Sequence, residues 1–415
     1  NFHIFNSKIR YNKQFIQNQL TAALMSQFSD KFLGFFDKLN PRTVLLTSLS
    51  LIICISLLMI ASASIPFSAA RDLASLRFFW YQLAYVVIGT MIAMIVYRIP
   101  LRVYYQRTHI NVVFLMWVTA LGLLILTAMF GDVINGSRRW LDLGIFNLQA
   151  GEVAKAVMVF VTADYVVRRS AELRSNVFTG VRLLAWYLPV GGLLLFQPDF
   201  GTVLVLFATL IVIIFVSGAP ALQYAWILFM AIVLGGIAAW LEPYRRERIL
   251  SFTDAFDDIQ GSDFQLARSL IAYGRGQLSG IGYGDSVQKL SHLPEAHTDF
   301  LLAITGEELG FLGVATVLFL EMLIILSIMV ISLRALKCRQ LRLSYTIFGF
   351  AVVIFGQVII NAGMTMGLAP TKGLTMPFFS FGGSSMVVLL IMIGFILRVD
   401  KESLEIHAQR LNDKY

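Results

Sequence analysis

The run TVLLTSLSLIICISLLMIASA, Thr43 to Ala63, holds no charged residue, no glycine and no proline. A helix of about 20 residues at 1.5 Å per residue covers roughly 30 Å, the depth of a bilayer's hydrocarbon core, so the stretch reads as a membrane span. Ala61-Ser62-Ala63 imitates a signal-peptidase site, but the apolar run is longer than a signal h-region, which favours an uncleaved anchor.

Working outward, the same pattern recurs at about 79–97, 110–130, 151–167, 183–197, 199–217, 222–241, 309–333, 344–366 and 383–398. Ten spans follow. Of 415 residues, 57% are hydrophobic and 14% charged, and the mean hydropathy is +0.74, outside the soluble globular range. The expected fold is an all-α polytopic membrane protein. Residues 43–398 form its membrane domain, with a basic tail at 1–42 and a second tail at 399–415. The first residue is Asn, and Met25 is an internal candidate start.

Loop charges set the orientation. With the N-terminus inside, inner loops hold Arg98, Arg102 and Arg107, then Arg168, Arg169, Arg174 and Arg182, then Arg334, Lys337, Arg339 and Arg342. By the positive-inside rule both tails are cytoplasmic. The net charge of +8 is therefore topological, and no basic stripe interleaved with aromatics points to nucleic acid. Cys54 and Cys338 lie too far apart in depth for a disulfide and match no metal spacing.

The longest outer loop, about 242–300, mixes aromatics, glycines and Arg245, Arg246, Arg248, Arg268, Arg275 and Lys289. It is expected to fold on the membrane surface, with short helices near 246–257 and 263–273. It closes on Leu293-Pro-Glu-Ala-His-Thr-Asp299-Phe300. An ionisable residue where a loop meets a span is a functional candidate, and the plain alternative is that Asp299 caps the next helix. An unbroken helix from 300 to 333 would measure roughly 50 Å, so the helix either projects outward or bends near Gly306 or Gly310, and the bend, which keeps Asp299 close to the outer headgroups, is the reading adopted.

Glu152 and Lys155 open the fourth span one turn apart, where they either pair structurally or line a cavity. Asp199 sits in a Pro-Asp turn and reads as structural. Glu307 falls near Asp299's helix face and is expected to border the same cavity, whereas Glu321 lies deeper. The last outer loop carries Lys372, a candidate phosphate contact or a solvated lysine. No Walker loop, dinucleotide fingerprint, HExxH or cysteine cluster occurs. Three classes stay open: an enzyme acting on a lipid-linked substrate at the outer face, a transporter or flippase, and a non-catalytic scaffold.

Several segments together carry a family resemblance: Gly136-Ser-Arg-Arg139-Trp140, Gln149 to Lys155, Gln197-Pro-Asp-Phe-Gly-Thr202, Glu242-Pro-Tyr-Arg245, Leu293 to Phe300 with Gly306-Glu-Glu-Leu-Gly310, and Phe381-Gly-Gly-Ser384-Ser385. Over roughly residues 40–400 the chain resembles the SEDS family (shape, elongation, division, sporulation) of cell-wall polymerases. Pro370 to Thr375, with its Thr-Lys pair, resembles the cell-division branch more than the elongation branch. Departures are Ala150-Gly151, where the family has Pro before a small residue, and Arg268, where Gln precedes Ser269. Glu321 matches no family motif.

The resemblance implies a glycosyltransferase that polymerises lipid II at the outer face of the bacterial cytoplasmic membrane, at the division septum. It implies a class B penicillin-binding transpeptidase partner of the FtsI type and divisome regulators of the FtsQ–FtsL–FtsB and FtsN type. Asp299 matches the family's essential acidic residue and is expected to be a general base. Arg139, Arg245, Arg248, Lys372 or a divalent cation, magnesium or manganese, would neutralise pyrophosphate. Glu152, Lys155, His297, Glu307 and Ser384 complete the expected substrate-binding set.

Overall fold

The computed structural model describes residues 40–105, 111–134, 137–142, 144, 147–176, 178–240, 264–290, 292–370 and 373–412. In chain order the helices are α1 Pro41–Ala69, α2 Arg77–Arg98, α3 Arg102–Tyr105, α4 Val112–Phe130, α5 Ala150–Arg168, α6 Ser170–Ser175, α7 Phe178–Phe196, α8 Phe200–Val216, α9 Ala221–Trp240, α10 Phe264–Gly276, α11 Leu301–Lys337, α12 Leu341–Thr365 and α13 Gly383–Asn412. Each of the ten expected spans falls on one of these helices. Seven are long and apolar enough by themselves to cross a membrane, while α8 and the start of α9 are shorter apolar helices. The molecule is a multi-pass membrane protein.

Local signals explain many boundaries. Pro41 occupies the first turn of α1, where its missing N–H costs nothing. Asn111 caps α4 by accepting from Val113 N–H, and Asp199 caps α8 by accepting from Thr202 N–H and Oγ1. The helix expected near 263–273 is α10; the one expected near 246–257 lies outside the described residues.

The helices pack around α5, which touches α4, α8, α12 and α13. This helix carries Glu152, Lys155 and Asp164 in a sequence too polar to count as a lipid-facing span, and burial on most sides keeps those groups off lipid. Helix α11 packs on α1 and α12, and α13 lies along α2. Glu321 is buried in α11, and neither of its oxygens has a hydrogen-bond partner among the described residues.

One element departs from the all-α expectation. Strands β1 Asp132–Ile134, β2 Ser137–Asp142 and β3 Asn147–Gln149 make an antiparallel sheet in the order β1-β2-β3. It lies between α4 and α5 and delivers Arg139 and Gln149 to the mouth of the bundle. The strands are too short, and too poor in alternation, to register as a pattern in sequence.

Helix α11 breaks at Gly310, with φ 67° and ψ −165°, a region essentially reserved for glycine. Phe311 N–H donates to Gln277 O at 2.9 Å, and Leu312 N–H to Leu278 O at 3.2 Å; in return Ile281 and Gly282 N–H donate to Glu307 O and Glu308 O at 3.0 and 3.1 Å. The loop after α10 is stitched into the break, which meets the expected bend at the second of its two glycines. A β-carbon on Gly310 would overlap Gly280 N and the Leu278 main chain, whereas one on Gly122 would meet nothing. Gly310→Ala should therefore lose more than about 2 kcal/mol and melt several degrees lower, while Gly122→Ala melts like the parent. A thermal melt of both purified variants checks this.

Candidate functional site

A cavity of about 1720 Å³ opens between the C-terminal end of α1, the start of α2, the sheet, the α7–α8 turn and the segments 293–300 and 373–385. Asp299, Arg139, Glu152, His297 and Ser384 all line it. The structure thus brings together five of the residues singled out in sequence. Arg245, Arg248 and Lys372 lie outside the described residues.

Asp299 is half-buried and stands two residues before α11. The N-cap position belongs to Phe300, one residue after Asp299, and the Phe300 side chain makes no cap bond. Its main-chain oxygen accepts from Asn361 Nδ2 at 2.9 Å. Across the cavity, Arg139 Nε donates to Gln197 O at 3.3 Å and Nη2 to Pro198 O at 2.5 Å. These bonds fix the guanidinium plane while Nη1 faces Gly373. A methyl carbon placed on Gly373 would lie 3.3 Å from Asp299 Oδ2 and 3.4 Å from Arg139 Nη1. The carboxylate and the guanidinium thus both lie against Gly373 in the wall of the cavity, an arrangement that places a potential base and a potential charge stabiliser beside one another.

Other expected contacts have different employment. Lys155 is fully buried, bonds Glu152 at 2.8 Å and is not part of the cavity lining, so it steadies Glu152 from behind. Ser384 Oγ donates to Asn147 O and accepts from Gln149 N–H, both at 2.8 Å, pinning β3 to α13. The expectation for Glu307 is corrected. Its carboxylate is buried against Arg275 at 3.2 Å, Ser286 Oγ and the N–H groups of Val287 and Gln288, on the loop side and away from the cavity. Glu308 likewise binds Lys289 Nζ at 2.6 Å and Ser62 Oγ at 2.7 Å.

His297 packs among Phe67, Phe78 and Phe381, with ring centroids at 4.7, 4.6 and 5.9 Å. Burial lowers its pKa to about 4; nearby Glu295 pulls the other way and Arg71 reinforces the fall. The ring is neutral at neutral pH and acts as part of an aromatic wall, not as a cation for phosphate. Sequence reasoning missed Arg71, which lines the cavity with its guanidinium 4.0 Å over the Phe67 ring, and Asn361, whose amide near the end of an apolar span was the available signal. Among the described residues, no group of three or more His, Cys, Asp or Glu could hold a metal ion.

A family model described as Cell cycle protein, covering FtsW, RodA and SpoVE, matches residues 42–405. The chain belongs to this family. It is 40% identical over 394 residues to the probable peptidoglycan glycosyltransferase FtsW of Acinetobacter baylyi, covering 94% of this chain and 97% of that protein. To the protein of the same name from Marinomonas mediterranea it is 41% identical over 362 residues, 86% and 87% of the two chains. Among solved structures, it matches a chain of a peptidoglycan synthase complex that coordinates polymerization and crosslinking, with TM-score 0.68 and 27% identity over 86% of this chain and 97% of that one. Rod shape determining protein RodA of Thermus thermophilus matches with TM-score 0.62 and 25% identity, over 86% and 96%. Within the SEDS family, this chain's relatives at about 40% identity carry the FtsW name.

The His297 shift has a direction in pH. Between about pH 4 and 6.5 the unfolded chain binds a proton at this position and the folded chain does not, so stability falls as pH drops through that window and is fully present above it. The melting temperature should therefore fall from about pH 7 to pH 5 by more in the parent than in His297→Asn, measured in one detergent at matched ionic strength.

Proposed function

We propose that this SEDS peptidoglycan glycosyltransferase polymerises lipid II into glycan strands by an inverting transfer, with Asp299 as general base. The observation that carries the reading is that the Asp299 carboxylate and the Arg139 guanidinium lie against the same glycine, Gly373, in the lining of one cavity. The acceptor sugar's 4-hydroxyl attacks the anomeric carbon of a sugar linked to undecaprenyl pyrophosphate. The new C–O bond forms as the bond to pyrophosphate breaks, the hydroxyl proton passes to the Asp299 carboxylate, and the electron pair leaves on pyrophosphate. A positioned base of this kind contributes typically about 10²–10⁴-fold. Arg139, already oriented by two carbonyls, stabilises the departing charge; Lys372, Arg245 and Arg248 are proposed to add to it. Glu152, held by Lys155, shapes the acidic side of the cavity.

A magnesium or manganese ion is compatible with pyrophosphate chemistry, but the described side chains offer no cluster for one, and no step here runs through a metal. The proposed setting is the bacterial cytoplasmic membrane at the septum, both tails inside, in complex with a class B penicillin-binding transpeptidase and under divisome regulators. What supports the partner is the likeness to a chain of a peptidoglycan synthase complex.

The decisive experiment is strand formation from labelled lipid II by purified protein with its transpeptidase. Asp299→Asn should lose about 10²-fold or more at an unchanged melt. Asp299→Glu should recover little, because displacement by roughly 1 Å costs about 10²-fold. Arg139→Ala and Lys372→Ala should lower turnover with the partner complex intact. Normal strands from a folded Asp299→Asn protein would remove Asp299 as the base.

Orientation has its own check. Asp285 is exposed in the loop after α10 and Ser170 is exposed at the start of α6. With Cys54 and Cys338 replaced, a cysteine at position 285 should react with an impermeant thiol reagent outside spheroplasts, and one at 170 should not. The reverse pattern would invert the topology.

A further inference from the structure

The segments that carry Asp299 and Gly373 are held from behind by a residue that does not line the cavity. Asn361 is on α12 and fully buried. Its Nδ2 donates to the main-chain oxygen of Asp299 at 2.9 Å and to that of Leu374, the residue after Gly373, at 2.6 Å. Both neighbours are carbonyl oxygens, which only accept, so the NH2 end of the amide must face them. Its Oδ1 is buried and meets no donor among the described residues. An apolar side chain would fill this space without leaving an amide oxygen unmet. What the amide supplies is the two donated bonds, and these join the segment carrying the carboxylate to the segment carrying the glycine.

The helix turn that presents Asn361 is itself braced. Thr365 Oγ1 donates to Asn361 O at 3.1 Å and accepts from the Tyr273 hydroxyl at 3.1 Å, while Ser269 Oγ donates to Thr365 O at 2.7 Å. Helix α10, in the outer loop, therefore stiffens the end of α12 where the clamp sits.

We propose that Asn361 is a positioning residue for glycosyl transfer, setting the placement of the segment that carries the Asp299 carboxylate relative to the cavity wall at Gly373 and Leu374. The inference rests on the reading of Asp299 as base. The two segments it ties share no helix and no strand, so without the amide their main chains shift relative to each other. A shift approaching 1 Å costs about 10²-fold in rate, while the rest of the cavity still binds substrate.

The test measures kcat and KM for lipid II polymerisation by the full chain with its transpeptidase. The variants are Asn361→Ala, Asn361→Asp, Asp299→Asn and the double variant Asp299→Asn/Asn361→Ala, each with a thermal melt. Asn361→Asp keeps the volume and loses the paired amide donors, so it stands in should the alanine variant fail to fold. The expected result is a fall in kcat of about 10–10²-fold with KM within about threefold. In the Asp299→Asn background the same change should cost no more than about threefold, because a residue acting through Asp299 is not additive with it. Equal losses in both backgrounds, or a raised KM at unchanged kcat, would overturn the proposal in favour of a structural role. Normal turnover by folded Asn361 variants beside an inactive Asp299→Asn would overturn this inference alone. Near-normal turnover by Asp299→Asn would remove the base and the clamp together.

Discussion

The half of this molecule that holds the cavity depends on the break at Gly310. As one continuous rod, a helix of 37 residues would measure roughly 55 Å, far more than a bilayer's hydrocarbon core. The break releases main-chain donors and acceptors, and an unmet backbone group at membrane depth costs several kcal/mol. The loop 277–282 supplies partners for them in both directions. From that seam the rest follows: Glu307 gathers Arg275 and the turn at 286–288, and Glu308 gathers Lys289 and Ser62. The chain can then return along a defined path to Leu293 and deliver Asp299 to the cavity mouth.

Polar groups in the bundle divide into two kinds. Glu307, Glu308 and Asp199 meet close donors in dense local networks, which is how a buried carboxylate is tolerated. Asp299 and Arg139 both lie against Gly373 in the lining of the cavity. Arg139 arrives there from the sheet, with two of its nitrogens already bound to carbonyls. A guanidinium held in this way is pre-organised, and pre-organised charge acts more strongly on a reacting group than one that must reorient.

Much of this was legible in the sequence, and for identifiable reasons. Hydropathy is a local property, so each run with helical length declared its own span, and the charge of the intervening loops declared an orientation. The excess length after Phe300 called for either a projecting helix or a bend near Gly306 or Gly310, and the structure has the bend. Asp299 stood out because a carboxylate beside a span is expensive unless something uses it. The sheet did not announce itself, since its three strands of 3, 6 and 3 residues are shorter than any window in which alternation can be counted.

What sequence by itself determined was therefore the membrane-spanning class, the positions of the helices and the short roll of charges that needed an explanation. Which of those charges face the cavity was decided by tertiary structure. Glu307 and Asp299 lie within a few turns of each other in sequence, yet one is sealed beneath Arg275 and the other opens toward Arg139. The same holds for Asn361, an ordinary amide near the end of a span until α12 places it against the carbonyls of Asp299 and Leu374. Helical periodicity orients a side chain about its own axis, but its partners come from elements far away in the chain. Pairing over that distance is set by how the helices pack, which a linear pattern of residues does not encode.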